Sequence, residues 1–457
     1  MEDKKFYRTL SILFFIVFII LKIISLFVKS DMWWDSSVYI GMGKYTYSLG
    51  KSGLWEASRP IVWPLILGFF WKIGLDYVFF GKMVTVLFSI GSVIFTYLIV
   101  LTVFGKKEAF YTSLFLAFSP TFFLFNNIPF SEIPSMFFLL LGLYLLIKNQ
   151  QNFAGFFFGL SFMTRFFQIF IIIPIAISYL YVAYKKKQSR LPSSFFIWFF
   201  VPIIPYLLIN YIMYNSPFYP FILQAFMTKY TGWVYYKPLY FYFTGLIMEN
   251  ILVLFFIIGL WYINKEKKFE KKIFLFVSIF TFALYSFARH KEMRFLIPLF
   301  PFLYAVASHG IVSLANIFKK NSKIITMLLI IIWAAQTIPQ TRFDKYEDNL
   351  GLFYNYVSKA NPTGLWISNP SFVLFSNQKV EELIYYPLYD SSKVKEIQQK
   401  VSNAKTVLIN SCDILPCPPD DTTCDLETNN LLKGLKNNFH LLFDSDIKGC
   451  RYYIFEK

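Results

Sequence analysis

Residues 289–294 read Arg-His-Lys-Glu-Met-Arg, so three cations, a histidine and a carboxylate stand between two apolar runs. Lysine and arginine side chains bind phosphate readily, and the arginine guanidinium offers two parallel donors. We therefore expect His290, Lys291 and Arg294 to bind a phosphate, with Glu292 orienting their side chains. The alternative is that these charges only flank a membrane-spanning helix.

A further basic residue, Arg165, stands between two apolar runs and has no acid beside it in the sequence. A cation at such a depth is costly unless it meets an acid or a water-filled cavity. Arg165 is predicted to pair with Asp35 or Glu132, or to hold a phosphate. Glu132 follows Ser131 shortly before Pro134, so simple capping of a helix is its alternative role.

Asp35 follows two tryptophans at the end of the first apolar run. A carboxylate held at an apolar boundary can have a raised pKa and act as a general base. Asp35 is therefore the predicted catalytic base. Its alternative role is to cap a helix over residues 36–47.

Residues 215–240 are rich in aromatic residues, and the tyrosines and Trp233 among them could stack on the faces of sugars, while Lys237 in this loop could reach a phosphate. An interfacial aromatic belt is the alternative. The chain has only three histidines, and no cluster of histidines and acids shows the spacing of metal ligands. We expect no obligatory metal, although Asp35 and Glu132 could share a divalent cation.

The composition indicates that a membrane protein positions these groups. Of the 457 residues, 56% are hydrophobic, 21% are aromatic and only 16% are charged, and the mean hydropathy is +0.50. These figures exclude a disordered chain, a collagen, a coiled coil and an ordinary cytosolic enzyme.

Apolar runs that suit spanning helices recur along the first 340 residues. Eleven helices are predicted, at 10–28, 78–104, 109–125, 133–147, 153–164, 167–184, 195–214, 241–263, 273–288, 295–318 and 324–338. The shorter apolar run 61–75 is predicted to be interfacial or re-entrant.

The distribution of the net charge of +17 predicts the topology. Eighteen cations lie in short alternate loops, at 4–8, 106–107, 148, 185–190, 265–272 and 319–323. By the positive-inside rule these loops are cytoplasmic, which predicts a cytoplasmic N-terminus and an extracytoplasmic C-terminal domain. Because acids and isolated cations occupy the other loops, we expect an active site that faces outward. A nucleic-acid groove is not expected.

The composition changes after Pro339, which predicts a transmembrane domain over 1–339 and an extracytoplasmic α/β domain over 340–457. Strands are predicted at 363–368, 372–375, 382–386, 406–410 and 451–455, and helices at 393–403 and 429–438. All four cysteines lie in this part, which predicts two disulfides with three possible pairings among Cys412, Cys417, Cys424 and Cys450. A zinc site is the alternative.

Residues 290–295, His-Lys-Glu-Met-Arg-Phe, resemble the HKExRF motif of the dolichyl-phosphate-mannose-dependent α-mannosyltransferases. Those enzymes are polytopic glycosyltransferases of the GT-C class, and the resemblance covers roughly residues 10–340. The broader arrangement is also similar to protein O-mannosyltransferases and lipid A aminoarabinose transferases.

Other features agree with this resemblance. Asp35 resembles the acid that follows the first helix of such enzymes, and Trp55 with Glu56 resembles the Trp-Glu pair late in their first loop. Residues 155–165, which end in Arg165, resemble their glycine-rich helix with a terminal arginine.

The chain departs from the family pattern in its first loop. The family usually carries an Asp-Glu pair there, whereas Ser36 follows Asp35. A second carboxylate, if the reaction needs one, would come from Glu56, Glu132 or Asp31.

The resemblance implies a fold and an activity. It implies transfer of a sugar, mannose in that family, from a polyprenyl- or dolichyl-phosphate donor to a lipid-linked glycan or protein acceptor, with inversion at the anomeric carbon. Asp35 would accept the proton, and Trp55, Glu56 and Glu132 would support the site or bind the acceptor. Membrane lipids are the other expected partners. A transporter or flippase for a lipid-linked glycan is the alternative function, and a receptor or assembly subunit that acts through its outer domain is a third.

Overall fold

The structure is a computed structural model, and it describes residues 2–28, 32–185, 193–230, 232–317, 322–341, 351–360, 362–384, 391–414, 417–447 and 449–457. This part of the chain is mostly helical, with one five-stranded sheet towards the C-terminus. It divides into two compact units. The first unit comprises Met1–Lys29, Lys82–Ile209 and Pro238–Asp344, and the second comprises Ser30–Gly81, Asn210–Lys237 and Lys345–Lys457.

The α-helices follow one another closely along the chain. They are α1 (Glu2–Phe27), α2 (Trp34–Tyr47), α3 (Val62–Lys72), α4 (Tyr77–Val103), α5 (Lys106–Ala117), α6 (Pro120–Phe125), α7 (Glu132–Ile147), α8 (Gln151–Thr164), α9 (Ile169–Lys185), α10 (Ser193–Phe200), α11 (Ile204–Tyr214), α12 (Tyr219–Tyr230), α13 (Phe241–Glu249), α14 (Phe255–Lys265), α15 (Phe269–Phe287), α16 (Phe300–Ala315), α17 (Ser322–Thr337), α18 (Gly351–Ala360), α19 (Ser391–Lys400), α20 (Ser411–Ile414) and α21 (Cys424–Asn438). Short 3₁₀ helices occur at Phe166–Gln168, Ile251–Leu254, Met293–Leu299, Ile338–Gln340, Pro370–Leu374 and Val401–Asn403.

Several helices are suited to crossing a membrane. Within the described residues, four are long and apolar enough, at Lys5–Phe27, Tyr77–Val103, Phe166–Lys185 and Met293–Ala315. The pair α10 and α11, bent by 41°, adds a fifth if it is one span. Shorter apolar helices lie at Val62–Lys72, Glu132–Ile147, Ile251–Lys265 and Ile324–Gln340. The polytopic helical fold is therefore confirmed, while the count of eleven spans stays a prediction.

A proline and an asparagine divide two of the predicted helices. The predicted helix 109–125 is two helices, α5 and α6, because Pro120 lacks the amide hydrogen that an uninterrupted helix would use. The predicted helix 241–263 stops at Glu249 and restarts where the Asn250 side chain accepts a hydrogen bond from the amide of Leu252. These breaks place polar backbone and side chains at helix ends.

The second unit contains the sheet, whose strand order is β2-β1-β3-β5-β4. Strands β1 (Leu365–Ile367), β2 (Val380–Leu383) and β3 (Thr406–Asn410) run parallel to one another. Strand β5 (Cys450–Glu456) pairs antiparallel with β3 and with β4 (His440–Ile447). The prediction of a small C-terminal α/β fold is confirmed.

The strand predictions have mixed outcomes. The predicted strand 406–410 is β3, and the predictions 363–368 and 451–455 coincide with β1 and β5. The prediction 382–386 overlaps the end of β2, and its residues 385 and 386 lie outside the described residues. The strand predicted at 372–375 is wrong, because the side chain of Asn369 accepts from the amide of Ser371 and starts a 3₁₀ helix instead.

Alternate residues of the sheet face two different apolar layers. On one face, Val407 and Ile409 pack with residues of α19 and α21. On the other face, Leu408 packs with α18, with the 3₁₀ helix Pro370–Leu374 and with Met42 of α2. A helix from the first loop is thus part of the apolar layer beneath the C-terminal sheet. The domain boundary at 339/340, drawn from composition, stays a prediction.

All four cysteines are paired. Cys412 of α20 bonds Cys450 of β5, and Cys417 bonds Cys424 at the start of α21. The prediction of two disulfides is confirmed, and the zinc alternative is wrong.

We expect the two disulfides to differ in their contribution to stability. Replacing Cys412 and Cys450 with serine removes the disulfide that joins residues 38 positions apart. This should lower the free energy of unfolding by about 3–4 kcal/mol. Replacing Cys417 and Cys424 removes the disulfide that joins residues only 7 positions apart. This should lower the free energy of unfolding by about 2 kcal/mol. Calorimetric unfolding of the purified protein in detergent measures both, and equal midpoint shifts for the two double variants would contradict the expectation.

Candidate active site

Three elements of the first unit bring together the charged residues that the sequence singled out. Glu132 is the first residue of α7, and Arg165 follows α8 in an extended backbone conformation. Residues 290–294 connect α15 with the 3₁₀ helix Met293–Leu299. Each group lies at a helix end, where polar side chains can leave the apolar packing.

The carboxylate of Glu132 is the centre of this cluster, and its side chain is only 1% exposed. Its Oε1 lies 3.1 Å from Nη1 of Arg165 and 3.6 Å from Nη1 of Arg294. Nη1 of Arg165 also donates to Oγ of Ser131 at 3.2 Å. Because a buried carboxylate needs compensating charge, Glu132 fixes two guanidiniums beside each other.

Glu292 holds the other end of Arg294. Arg294 donates from Nε to Oε2 of Glu292 at 2.8 Å and from Nη2 to Oε1 at 2.9 Å, and Nε2 of His290 lies 2.9 Å from the same Oε1. Burial opposes ionisation here, but the hydrogen bond with His290 and the charge of Arg294 outweigh it and lower the pKa of Glu292 to about 2. This geometry suits the orienting role predicted for Glu292.

Aromatic rings enclose the two arginines. The Arg165 guanidinium lies 5.1 Å from the ring centre of Phe295, and that of Arg294 lies 4.8 Å from the ring centre of Phe130. Lys291 is 4% exposed. The cations Arg165, Lys291 and Arg294 exceed the two carboxylates by one, so the cluster keeps a positive formal charge in a poorly solvated place, where electrostatic attraction is strong.

A second charged cluster lies in the second unit, around Asp35. Nη2 of Arg59 lies 2.8 Å from Oδ1 of Asp35, and Nε of Arg59 lies 2.9 Å from Oε1 of Glu56. Ser58 Oγ donates to the same oxygen of Glu56 at 2.9 Å. Burial opposes the charge of Arg59, but Asp35 and Glu56 raise the pKa of Arg59 well above its ordinary value. Asp35 is therefore paired with a cation, whereas the sequence predicted a purely apolar boundary around it.

The remaining predicted residues of the second unit lie in different environments. Trp55 Nε1 donates to Oη of Tyr214 at 2.6 Å, and its ring lies 5.6 Å from that of Tyr45. Lys237 is exposed and belongs to this unit. Asp31, named as a possible second carboxylate, lies outside the described residues.

The structure decides between several of the predicted local roles. Arg165 contacts Glu132, one of the two acids predicted for it. Ser131 occupies the N-cap of α7 without a side-chain capping bond, so the capping interpretation of this pair is wrong. Trp33 occupies the N-cap of α2 and Asp35 lies in the first turn, so the N-cap alternative for Asp35 is wrong as well.

The sequence interpretation missed Arg59, which joins Asp35 to Glu56. Two signals could have identified it. Glu56 and Arg59 stand three residues apart, and arginine is scarce in this chain, with eight arginines among 44 basic residues. Among the described residues, no group of three or more histidine, cysteine or acidic side chains could hold a metal ion.

We expect the stabilising effect of Glu292 to depend on pH. Because the pKa of Glu292 in the folded protein, about 2, lies below its ordinary value, the carboxylate stabilises the fold fully above about pH 4.5 and loses this effect as the pH falls towards 2. The Glu292→Gln variant should therefore melt below the wild type at pH 7, and the gap should narrow between pH 5 and pH 3. Thermal unfolding in detergent measures this, with the exposed Glu456→Gln as the control. A gap that does not depend on pH would contradict the expectation.

Comparison with solved structures finds the same fold in membrane glycosyltransferases. ArnT from Cupriavidus metallidurans bound to undecaprenyl phosphate has a TM-score of 0.64 at 9% identity, covering 97% of both chains. The oligosaccharyltransferase AglB from Archaeoglobus fulgidus, in complex with an inhibitory peptide and a dolichol-phosphate, has a TM-score of 0.61 at 11% identity, covering 99% of this chain and 74% of AglB. The mycobacterial arabinofuranosyltransferase AftD has a TM-score of 0.55 at 11% identity, covering 97% of this chain and 40% of AftD.

Sequence comparison gives the family. No curated protein sequence matches the chain significantly. The model of the Alg9-like mannosyltransferase family matches residues 4–361, which is most of the chain. The chain is an integral membrane glycosyltransferase that belongs to the Alg9-like mannosyltransferase family.

Proposed function

We propose that the protein transfers mannose from a polyprenyl- or dolichyl-phosphate donor to a lipid-linked glycan or protein acceptor at the outer face of the membrane. The observation that carries the proposal is the buried cluster in which Glu132 holds Arg165 and Arg294 side by side. The family of the chain supplies the sugar, and the structures of ArnT and AglB, which hold undecaprenyl phosphate and a dolichol-phosphate, support the class of donor.

The leaving group of such a donor is a phosphate on a lipid, and its charge grows as the glycosidic bond breaks. Arg294, Arg165, Lys291 and His290 are the groups that would stabilise this charge, and Lys237 would assist. Arginines already oriented by Glu132 and Glu292 need little rearrangement when the charge develops, and each well-placed donor then contributes about 3 kcal/mol to lowering the barrier.

Asp35 is the proposed general base. As the acceptor oxygen attacks the anomeric carbon, Asp35 takes the proton from that oxygen, and the bond from carbon to the phosphate oxygen breaks with its electron pair staying on the phosphate. Attack from the side opposite the leaving group inverts the anomeric configuration. Glu56 supplies the second carboxylate that the first loop lacks at position 36, since Arg59 contacts both acids.

The predicted orientation of the chain supports a lipid-linked donor. With the lysine-rich loops in the cytoplasm, the segment 289–294 and the first loop face outward. Soluble nucleotide sugars are made in the cytoplasm, so an outward-facing site needs a donor that travels in the membrane. Transfer also fits the family better than transport, which makes the flippase alternative an outcome of the test below.

We expect Asp35→Asn and Arg294→Ala to lower kcat about 100-fold or more, because they remove the base and a donor to the developing charge. The assay follows transfer of radiolabelled mannose from polyprenyl-phosphate mannose to lipid-linked oligosaccharide by the purified protein. Asp420→Asn and Arg289→Ala are matched controls, because both residues are exposed and neither belongs to a cluster. Both controls should retain wild-type rates.

Two results would contradict the proposal. Transfer that survives Asp35→Asn and Arg294→Ala would remove the proposed site. Lipid scrambling in vesicles without any sugar transfer would favour a flippase.

The topology has its own test. All four native cysteines are disulfide-bonded, so one introduced thiol can be labelled selectively. Arg289→Cys should react with a membrane-impermeant maleimide added outside sealed cells, whereas Lys267→Cys, also exposed, should react only after permeabilisation. The reverse pattern would place the proposed site in the cytoplasm.

A further inference from the structure

Helix α2 carries Asp35 in its first turn and Lys44 in its last turn. The side chain of Lys44 is completely buried. Burying an ammonium group is costly unless oxygen atoms replace its water shell. The partners of Lys44 therefore show what holds this helix.

Those partners come mostly from the C-terminal part of the chain. Nζ of Lys44 donates to the carbonyl oxygens of Val373 at 2.5 Å and Ser376 at 3.0 Å, and to Oδ1 of Asn377 at 3.2 Å. A fourth oxygen, Oη of Tyr77, lies at 3.0 Å. An ammonium group has three hydrogens, so these four oxygens fully replace its hydration.

The acceptors are themselves fixed. Tyr77 Oη donates to the carbonyl of Leu374 at 2.8 Å, and Trp71 Nε1 donates to Oδ1 of Asn377 at 2.9 Å. Both Val373 and Leu374 lie at the C-terminal end of the 3₁₀ helix Pro370–Leu374, where carbonyl groups lack helical partners and attract a cation. Lys44 thus caps the C-terminal end of that 3₁₀ helix.

A backbone connection reinforces the side-chain one. Gly53 donates its amide hydrogen to the backbone carbonyl of Gln378 at 2.9 Å, and the carbonyl of Gly53 accepts from the amide of Val380 at 2.8 Å. The first loop thus forms a parallel bridge beside β2. The amide of Leu54 then donates to the carbonyl of Gly41 in α2 at 3.2 Å. Gly53 has a φ of +80°, and a Cβ there would lie 2.2 Å from the Gly41 oxygen, so this approach requires glycine.

Apolar packing continues the same contact. Val38, Met42 and Leu54 belong to the buried cluster that also contains Phe372 and Val373. A hydrogen-bonded cation, a backbone bridge and an apolar layer therefore all attach α2 to residues 370–380. The position of Asp35 is set by the C-terminal sheet domain as much as by its own loop.

We propose that Lys44 is a positioning residue for Asp35 and that the C-terminal α/β domain serves as the scaffold of the catalytic base. Lys44 does not touch the reacting atoms. It fixes the axis of α2, and Arg59 then orients the carboxylate at the other end of the helix. This inference rests on the proposed role of Asp35.

The test compares Lys44→Met, which keeps the length of the side chain but donates no hydrogen bond, with the wild type. We expect kcat for mannose transfer to fall about 10- to 100-fold, because a small displacement of the base is enough for such a loss. The dissociation constant for polyprenyl-phosphate mannose should stay within about 2-fold, and the amount of donor bound at saturation counts the folded protein. Lys51→Met, an exposed lysine of the same loop, is the matched control and should keep the wild-type kcat.

Tyr77→Phe is a milder second variant, should Lys44→Met fold poorly. Tyr77→Phe removes one of the oxygens that accept from Lys44 and the hydroxyl that donates to the carbonyl of Leu374. It should lower kcat by less than Lys44→Met does. Because both variants weaken the same attachment of α2, the double variant should lower kcat by less than the product of the two separate fold-changes.

The outcomes separate the two proposals. If Lys44→Met and Tyr77→Phe lower only the melting temperature, and kcat per donor-binding protein is that of the wild type, Lys44 is merely structural and the inference is overturned. An inactive Asp35→Asn would then still support the proposed function. A fully active Asp35→Asn would overturn the base assignment and, with it, the positioning of that base.

Discussion

A carboxylate removed from solvent must be matched by positive charge, and Glu132 is matched by two arginines from different helices. Without this carboxylate, two guanidiniums that lie close together would repel each other. One shared carboxylate oxygen lets α8 and the 3₁₀ helix Met293–Leu299 bring them side by side, and Glu292 then fixes Arg294 from the other direction. His290 contacts Glu292 in turn, so it joins the same network.

The cluster in the second unit obeys the same rule with the opposite sign. There, one guanidinium, Arg59, is shared by the carboxylates of Asp35 and Glu56, so the three side chains carry a net negative formal charge. The cluster around Glu132 carries a net positive one. Negative surroundings favour a proton acceptor, which is the role proposed for Asp35. Positive surroundings favour a departing phosphate, so each cluster has the sign that its proposed role needs.

The sequence was informative where a residue type conflicted with its surroundings. Arg165 in an apolar stretch predicted an acidic partner, and Arg165 contacts Glu132 in the structure. Strand β3 could be predicted because an apolar run buried on both faces has a clear signal. Strand β4 could not, because residues 440–447 form an edge strand whose side chains are mostly exposed. The attachment of α2 to the sheet was also hidden, since it depends on backbone carbonyls, whose positions no residue type reveals.

The choice between lysine and arginine separates the two uses of positive charge in this chain. Sixteen of the eighteen cations in the predicted cytoplasmic loops are lysines, although either residue would satisfy the positive-inside rule. Arg59, Arg165 and Arg294, by contrast, each contact two oxygen-bearing side chains from fixed directions. A lysine at these positions would preserve the charge and the topology, but its single nitrogen could not reach both partners in the same geometry. Arginine therefore occurs at these three positions, where the direction of the hydrogen bonds matters, and lysine predominates in the predicted cytoplasmic loops, where charge alone is enough.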